Sequence, residues 1–187
     1  MAMKRAVVIG ASSGLGQEVA RLLLEQGYTL GVAARRIDRL EQLRALAPDR
    51  VIVQRIDVTA SDATQALNEL IEKLGGMDLL FYASGVGKQN MELEPDIEIN
   101  TVLTNGLGFT SVIGEAFRYM AQHGGGHIAA ISSIGHQGTG SSSLLLCHQG
   151  TARHLSSSLG ATITHAWLRN QHHRLATRLC SHRPAWR

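Results

Sequence analysis

Short apolar segments alternate with longer amphipathic segments through most of the chain. The short segments lack strict alternation of polar and apolar residues, as strands covered on both faces of a parallel sheet do. They are Ala6–Ile9, Thr29–Ala34, Val51–Arg55, Asp78–Tyr82 and His127–Ile131. The segments between them have helical spacing of apolar residues. These are Gly14–Gln26, Asp38–Leu46, Asp62–Leu74 and a stretch from about residue 97 to residue 122.

This regular alternation with short connections predicts an α/β fold. We expect a Rossmann-like, doubly wound parallel sheet with strand order 3-2-1-4-5, truncated after the fifth strand. In the first helix, Leu15, Val19, Leu22 and Leu23 form the predicted buried stripe. Asp38 and Asp62 stand at the predicted N-cap positions of the next two helices.

The composition differs between the two sides of Leu144. All 15 acidic residues and every lysine precede Leu144, whereas residues 144–187 hold arginine, histidine, both cysteines and both tryptophans. We therefore predict a nucleotide-binding domain over 1–143 and an atypical, weakly ordered tail over 144–187. Because the net charge of +3 is the sum of two unlike parts, it does not indicate a nucleic-acid partner.

Two functional interpretations of the tail, a nucleic-acid interface and a metal site, are both unfavoured by its residues. Its arginines lack the interleaved aromatics, lysines and recognisable module that a nucleic-acid interface needs, so no nucleic-acid partner is predicted. Several of its side chains are of metal-binding types, but their spacing fits no recurring pattern, so no metal site is predicted. They are His165, His172, His173, Cys180 and His182.

Cysteine usage and hydropathy predict the compartment. Cys147 and Cys180 are the only cysteines, and the start of the chain is not signal-like, which favours a reducing cytoplasm. No apolar run approaches the roughly 18 residues that span a bilayer, so no membrane partner is expected.

The first candidate site is the glycine-rich turn between the first strand and the first helix. Its glycines permit a tight turn and close approach of backbone N–H groups to a pyrophosphate, and the helix N-terminus favours an anion. The predicted contacts are Gly10, Ser12, Ser13, Gly14, Leu15 and Gly16. The spacing G-x-x-x-G-x-G differs from the dinucleotide fingerprint, so a glycine-rich turn of an unrelated α/β protein is the alternative.

The end of the second strand predicts which dinucleotide binds. An acid there would hold a ribose 2′-hydroxyl, whereas Arg35 and Arg36 suit a 2′-phosphate. We therefore predict NADP(H) as the cofactor. The alternative is that both arginines are solvated charges at the helix entry.

Later motifs extend the pattern: Asp57-Val58 after the third strand, Ala83-Ser84-Gly85 after the fourth, Asn105-Gly106-Leu107-Gly108 in the long helix, and Ser132-Ser133 after the fifth strand. With them, residues 4 to about 143 resemble the short-chain dehydrogenase/reductase family. The resemblance implies that Asp57 and Val58 contact the adenine and that Ala83, Ser84 and Gly85 replace the family's Asn-Ala-Gly. It further implies that Ser133 orients the substrate and that Asn105, or else Asn100, supports a proton-relay water.

The same resemblance implies a tyrosine about thirteen residues after Ser133 and a lysine four residues later. The lysine lowers the tyrosine pKa from about 10, which is too high for a base near neutrality. Leu146 and Gly150 occupy these positions. Tyr82 and Tyr119 precede Ser133 and lack a following lysine at that spacing. The sequence therefore predicts a catalytically crippled oxidoreductase.

A shifted reading frame would explain the tail. Leu145–Gly150 can be encoded so that translation one base later reads Tyr-Cys-Ala-Thr-Lys. Leu175–Leu179 can likewise be encoded to read Leu-Pro-Pro-Gly-Phe, which contains a Pro-Gly motif at a suitable distance.

Two function classes follow. The first is an NADP(H)-dependent oxidoreductase by ancestry, which transfers hydride to or from a small carbonyl or alcohol. The second is a non-catalytic NADP(H)-binding protein or an inert frameshift product. The resemblance also allows a homo-oligomer built through the long helices.

Overall fold

The computed structural model describes residues 4–88 and 90–131, together with the backbone of 164–166. The strands of this part are β1 (Arg5–Ile9), β2 (Thr29–Ala34), β3 (Val51–Arg55), β4 (Leu79–Tyr82), β5 (His127–Ile131) and β6 (Thr164–Ala166). The helices are α1 (Gly14–Glu25), α2 (Ile37–Arg44), α3 (Ala63–Leu74), α4 (Pro95–Thr101) and α5 (Phe109–Gln122), and a π-helical segment (Val102–Gly108) joins α4 to α5.

The strands form one parallel sheet in the order β3-β2-β1-β4-β5-β6. The predicted order of the first five strands is confirmed. The sheet does not end at β5, however, because β6 pairs with it and places Ala130 opposite residue 165. An unpaired strand edge offers free N–H and C=O groups, which β6 satisfies. The tail around β6 has no sustained period, which is why no strand was predicted there.

The remainder of the tail over 144–187 lies outside the described residues. The prediction that the tail is weakly ordered concerns those residues and stays a prediction. The described ranges contain no helix with the length and apolarity needed to cross a bilayer. They also contain no group of three or more His, Cys, Asp or Glu side chains placed to hold a metal ion. The tail side chains considered above as metal ligands are outside these ranges.

Successive side chains of β1 point to opposite faces of the sheet and enter two different hydrophobic cores. Val7 and Ile9 belong to a core that also contains residues of α3 and α5. Ala6 and Val8 belong to a second core with residues of α1 and α2. None of these four side chains is more than 1% exposed. Burial on both faces explains why the strand reads as a continuous apolar run.

The buried face of α1 is rotated from the predicted stripe. Val19 and Leu23 are buried as expected, but Leu15 is 37% exposed, while Gly16 is buried. Gly16 packs against the backbone of Gly10 across the preceding turn, so its neighbour Leu15 faces outward. Apolar spacing alone did not indicate that a glycine would occupy the buried face.

The N-cap prediction was wrong for α2. This helix begins at Ile37 with Arg36 at its N-cap, so Asp38 lies in the first turn. There its carboxylate is near the positive end of the helix dipole, which is favourable without a capping hydrogen bond. Asp62 occupies the N-cap position of α3 as predicted, although its side chain makes no capping hydrogen bond.

The helix predicted from about residue 97 to residue 122 consists of three consecutive elements. α4 begins with Pro95 in its first turn, where a missing N–H has little cost. The π-helical segment includes an extra residue in its turn, and such segments are frequent at functional sites. A Cβ atom on Gly108 would lie 2.6 Å from the carbonyl oxygen of Val58. The segment therefore packs closely on the loop that follows β3.

An ion pair joins the start of β1 to the residue before β4. Asp78 Oδ2 accepts from the backbone N–H of Arg5 at 2.8 Å, and Asp78 Oδ1 accepts from its guanidinium at 3.1 Å. Arg5 also donates to the carbonyl of Gly75. Partial burial would raise the pKa of Asp78, but the hydrogen bonds and charge of Arg5 outweigh burial, so this pKa lies below its ordinary value.

Asp78→Asn is expected to lower the free energy of unfolding at neutral pH by about 1 kcal/mol, a modest loss because the pair is partly exposed. The depressed pKa of Asp78 means that the unfolded state binds the proton more readily. Its contribution is present above the ordinary pKa of about 4 and is lost as the pH falls through the folded-state pKa. Urea unfolding of both proteins at neutral pH and near pH 3 measures this. A deficit of equal size at both pH values would contradict the assignment.

Candidate functional site

The turn between β1 and α1 has the backbone conformation that a phosphate site uses. Gly10 and Gly14 have φ values of 85° and 57°, which favour glycine. The N–H groups of Gly10 and Ala11 donate to the carbonyl of Ala33 at 2.8 and 3.2 Å, which holds the turn against β2. α1 follows directly, and the N–H groups of its first turn have no helical partners.

Close packing also requires glycine in this turn. A Cβ atom on Gly10 would lie 2.7 Å from the backbone nitrogen of Ser84, and one on Gly16 would lie 2.9 Å from the carbonyl carbon of Gly10. Both neighbours are backbone atoms, which cannot move aside as the end of a side chain can. The turn is therefore pressed against the loop after β4.

Gly16→Ala is expected to lower the free energy of unfolding by about 2 kcal/mol, since the added methyl group forces the turn away from α1. Gly87→Ala is the matched control, because a Cβ atom there would meet nothing within 4 Å. Thermal unfolding of the two variants compares them. Equal melting temperatures would contradict the packing described for Gly16.

The carboxyl ends of β1, β2, β3 and β4 surround a cavity of about 350 Å³. Its lining includes every predicted cofactor residue except Gly14, Leu15 and Gly16. Those that line it are Gly10, Ser12, Ser13, Arg35, Arg36, Asp57, Val58, Ala83, Ser84 and Gly85. Ligands of doubly wound sheets bind at this edge, beside the reversal of strand order, which here lies between β1 and β4.

A larger groove of about 700 Å³ lies between α3 and α5. Its lining includes Gly75 and Gly76, which precede β4 and so lie toward the amino ends of the strands. It contains no residue of the glycine turn. The smaller cavity is therefore the candidate site.

Arg36 crosses from the end of β2 to the glycine turn. Its Nη2 atom donates to Ser13 Oγ at 2.8 Å and to Ser12 Oγ at 3.2 Å. Arg35 lines the same cavity, and Asp57 is the one acid among the described residues that line it. Two guanidinium groups and two hydroxyls at this end form a donor set suited to a phosphate group.

Asp57 is held in its ionised form at the end of β3. Its Oδ1 atom accepts from the hydroxyl of Thr59 at 2.7 Å and from the backbone N–H of Thr59 at 3.1 Å. Partial burial would raise the pKa of Asp57, but these hydrogen bonds and the charges of Arg35 and Arg55 outweigh it, so the pKa is lowered. An ionised carboxylate in this position can accept hydrogen bonds from a ligand but cannot donate them.

A family model described as short chain dehydrogenase matches residues 4–145. The chain belongs to the short-chain dehydrogenase family. It is 36% identical over 135 residues to an uncharacterised oxidoreductase of Staphylococcus saprophyticus, covering 70% of this chain and 55% of that protein. It is 34% identical over 144 residues to a farnesol dehydrogenase of Aedes aegypti, covering 72% of this chain and 59% of that protein.

Solved structures of the family share the fold. A short-chain dehydrogenase from Streptomyces avermitilis superposes with a TM-score of 0.78 and 25% identity, over 85% of this chain and 60% of that one. A variant of actinorhodin polyketide ketoreductase, solved with NADPH, has a TM-score of 0.77 and 26% identity, over 84% of this chain and 64% of that one. The chain spans little more than half the length of the first curated relatives, at 55% of each.

Asn105 and Asn100, the two candidates for the family's helix asparagine, occupy different environments. Asn105 Oδ1 accepts from the N–H of Val86 at 2.8 Å, and its Nδ2 donates to the Val86 carbonyl at 2.7 Å. Val86 itself lines the cavity of about 350 Å³. Asn100 lines a separate cavity of about 190 Å³. Because both polar atoms of the Asn105 side chain engage Val86, its role in a proton relay stays a prediction.

Neither tyrosine weighed above is placed for the family's acid–base chemistry. Tyr82 is 2% exposed and packs edge-on against Phe109, and burial raises its pKa well above the ordinary value of 10. Tyr119 stacks on His123 near the end of α5, in the groove between α3 and α5. Ser133 lies outside the described residues, so its predicted role is untested.

Five further residues line the cavity, and the sequence did not indicate them. They are Ile9, Ala34, Ile56, Val86 and Thr104. Ile9 and Ala34 are the last residues of β1 and β2, so the rule that ligands bind at the carboxyl ends of parallel strands could have identified them. Val86 and Thr104 carry no comparable signal, because a loop and a helix bring them to the cavity.

Proposed function

We propose that this chain binds NADP(H) in the cavity at the carboxyl ends of its strands and does not turn it over. The contact of Arg36 with the hydroxyls of Ser12 and Ser13 carries this proposal. These hydrogen bonds hold the Arg36 guanidinium at the end of β2. A dinucleotide-binding fold holds the adenosine ribose at this position. A 2′-phosphate is the anion that these donors fit, and no acid stands at the strand end to hold a 2′-hydroxyl instead.

The remaining residues fit the other parts of the cofactor. The N–H groups of Gly10 and Ala11 bind the carbonyl of Ala33, so the N–H groups in the first turn of α1 are the ones that would bind a pyrophosphate. Asp57 and Val58 follow the end of β3, line the same cavity as Arg35, and would contact the adenine. Ala83, Ser84 and Gly85 follow β4 and would border the nicotinamide half. Gly14, Leu15 and Gly16 complete the turn and the helix N-terminus.

Ligand-induced stabilisation tests this proposal. NADP⁺ at about 100 times its dissociation constant should stabilise the chain by about 2.7 kcal/mol, whereas NAD⁺ at the same concentration should stabilise it much less. Adenosine 2′,5′-bisphosphate should also raise the melting temperature more than adenosine 5′-monophosphate does. Equal shifts from NADP⁺ and NAD⁺ would remove the proposed role of Arg35 and Arg36.

The loss of turnover follows from the residues that stand where the family's acid–base pair belongs. When bound, the cofactor gives or takes a hydride, and the reaction then needs a proton donor or acceptor of suitable pKa. Leu146 and Gly150 have no ionisable group, and burial raises the pKa of Tyr82. By family resemblance, the intact reaction would act on a small carbonyl or alcohol, with Ser133 to orient it and Asn105 to support a relay water.

A frameshift is the second candidate explanation of the chain. The family match stops at residue 145, beside the start of the segment that holds both cysteines and both tryptophans. We propose that the tail from Leu144 onward is the family's catalytic segment read in a shifted frame, which leaves the domain over 1–143. The coding DNA from about codon 139, read in all three frames, tests this. A frame with Tyr-x-x-x-Lys and a long open continuation supports it, and the absence of such a frame defeats it.

Location and assembly complete the proposal. The cytoplasmic location rests on the two cysteines, and a homo-oligomer rests on the family resemblance. Both stay predictions. Size-exclusion chromatography with light scattering would measure the oligomeric state directly.

A further inference from the structure

A buried polar cluster joins the chain that follows β4 to α4. Asn90 is 4% exposed and Glu98 is 7% exposed, although both are polar. Asn90 Nδ2 donates to Glu98 Oε1 at 2.8 Å and to the carbonyl of Glu94 at 3.1 Å. Asn90 Oδ1 accepts from the N–H of Glu94 at 2.9 Å. The Asn90 side chain thus makes three hydrogen bonds, two to Glu94 at the N-cap of α4 and one to Glu98 within α4.

Two features of this cluster are energetically unfavourable, one in the Glu98 side chain and one in the backbone of Leu93. Glu98 Oε2 is buried and has no hydrogen-bond partner among the described residues. Leu93 has a φ of 54°, the one positive value for a residue other than glycine in the described ranges. Unpaired buried groups and left-handed backbones persist where the surroundings fix them, and they are concentrated at functional sites. The cost therefore calls for a role beyond filling space.

The position of the cluster indicates that role. Asn105 on the π-helical segment binds both backbone polar groups of Val86, and Glu98 on α4 binds Asn90 four residues further along. The chain after β4 is therefore fixed to one helical unit at two points. Gly85 and Val86 lie next to the first point and line the cofactor cavity.

We infer that Asn90 and Glu98 are a positioning pair which, with Asn105, sets the cavity wall at Gly85 and Val86 for the nicotinamide half of the cofactor. The inference rests on the proposed NADP(H) site. The cofactor lies across the reversal of strand order between β1 and β4. With its 2′-phosphate at Arg36 on the β2 side, its nicotinamide half lies on the β4 side, where this wall is.

Comparing the binding of two ligands distinguishes a positioning role from a general effect on the stability of the chain. NADPH spans both halves of the cavity, whereas adenosine 2′,5′-bisphosphate reaches only the Arg36 half. Glu98→Ala in the full chain should weaken NADPH binding by about tenfold, because Asn90 loses a buried partner and the wall shifts. The same variant should bind adenosine 2′,5′-bisphosphate within about twofold of the unchanged protein, because the glycine turn is untouched.

Three further variants complete the test. Glu98→Gln keeps an oxygen for Asn90 and should restore NADPH affinity to within about twofold. Asn90→Ala should reproduce the effect of Glu98→Ala, and the double variant should be no weaker than either single one, since the two residues act as a unit. Glu92→Ala is the control, because Glu92 is an exposed acid on the same loop.

The outcomes are distinguishable. Selective loss of NADPH affinity in Glu98→Ala, restored in Glu98→Gln, supports the positioning pair. Equal weakening of both ligands, or no change in either, overturns it while the proposed site stands. If the unchanged protein binds neither ligand, the proposed function fails and the inference fails with it.

Discussion

Replacing Arg35 with Asp and Arg36 with Ala is expected to reverse cofactor preference, so that NADH binds more tightly than NADPH. The change removes the guanidinium that reaches Ser12 and Ser13 and places a carboxylate at the end of β2. A carboxylate there repels a 2′-phosphate and can accept from a 2′-hydroxyl. Losing charge-assisted hydrogen bonds to the phosphate should weaken NADPH binding by about 100-fold.

The control for this experiment is Arg39→Ala. Arg39 is an exposed arginine of α2 that pairs with Asp38 at 3.7 Å and does not line the cavity. It removes one positive charge from the same region, so any loss it causes measures long-range electrostatics alone. Unchanged NADPH affinity in the double variant would refute the assignment of both arginines.

The second large effect concerns turnover. A chain rebuilt from codon 145 in the frame that reads Tyr-x-x-x-Lys is expected to oxidise NADPH with a carbonyl substrate, whereas the present chain should show no rate above background. A positioned acid–base group contributes about 10²–10⁴ in rate. The restored lysine is needed as well, because an isolated phenol has a pKa near 10.

Initial rates across a panel of small carbonyl compounds measure this difference. The rebuilt chain with phenylalanine in place of the restored tyrosine is the control and should lose the gain. In the rebuilt chain, Ser133→Ala should also lower the rate if Ser133 orients the carbonyl. Turnover by the present chain at a rate close to that of the rebuilt chain would contradict the account of catalysis.

The strand order was predictable because the parallel sheet leaves a strong pattern. Ala6–Ile9 is apolar throughout since neighbouring side chains face opposite cores, and short connections then limit the topology to few choices. The sequence did not reveal the π-helical segment, because apolar spacing in helices already varies between three and four residues, which conceals an offset of one residue. It also did not reveal β6, which has only three residues.

The cavity was predictable wherever a motif follows a strand end. Ser12, Arg36 and Asp57 each follow a strand that was correctly placed, so the carboxyl edge of the sheet brings them together. The link between Asn90 and Glu98 was not predictable, because their contact depends on a turn and a short helix rather than on a period. Side-chain pairs of this kind have no signature in one sequence.

The NADP(H) site is best tested by titrating the full chain with NADPH, followed by cofactor fluorescence, in parallel with NADH at the same ionic strength. We expect saturable binding of NADPH and a preference over NADH of about 100-fold, because charge-assisted contacts to the 2′-phosphate are made only by NADPH. Binding of neither nucleotide, or equal binding of both, would contradict it.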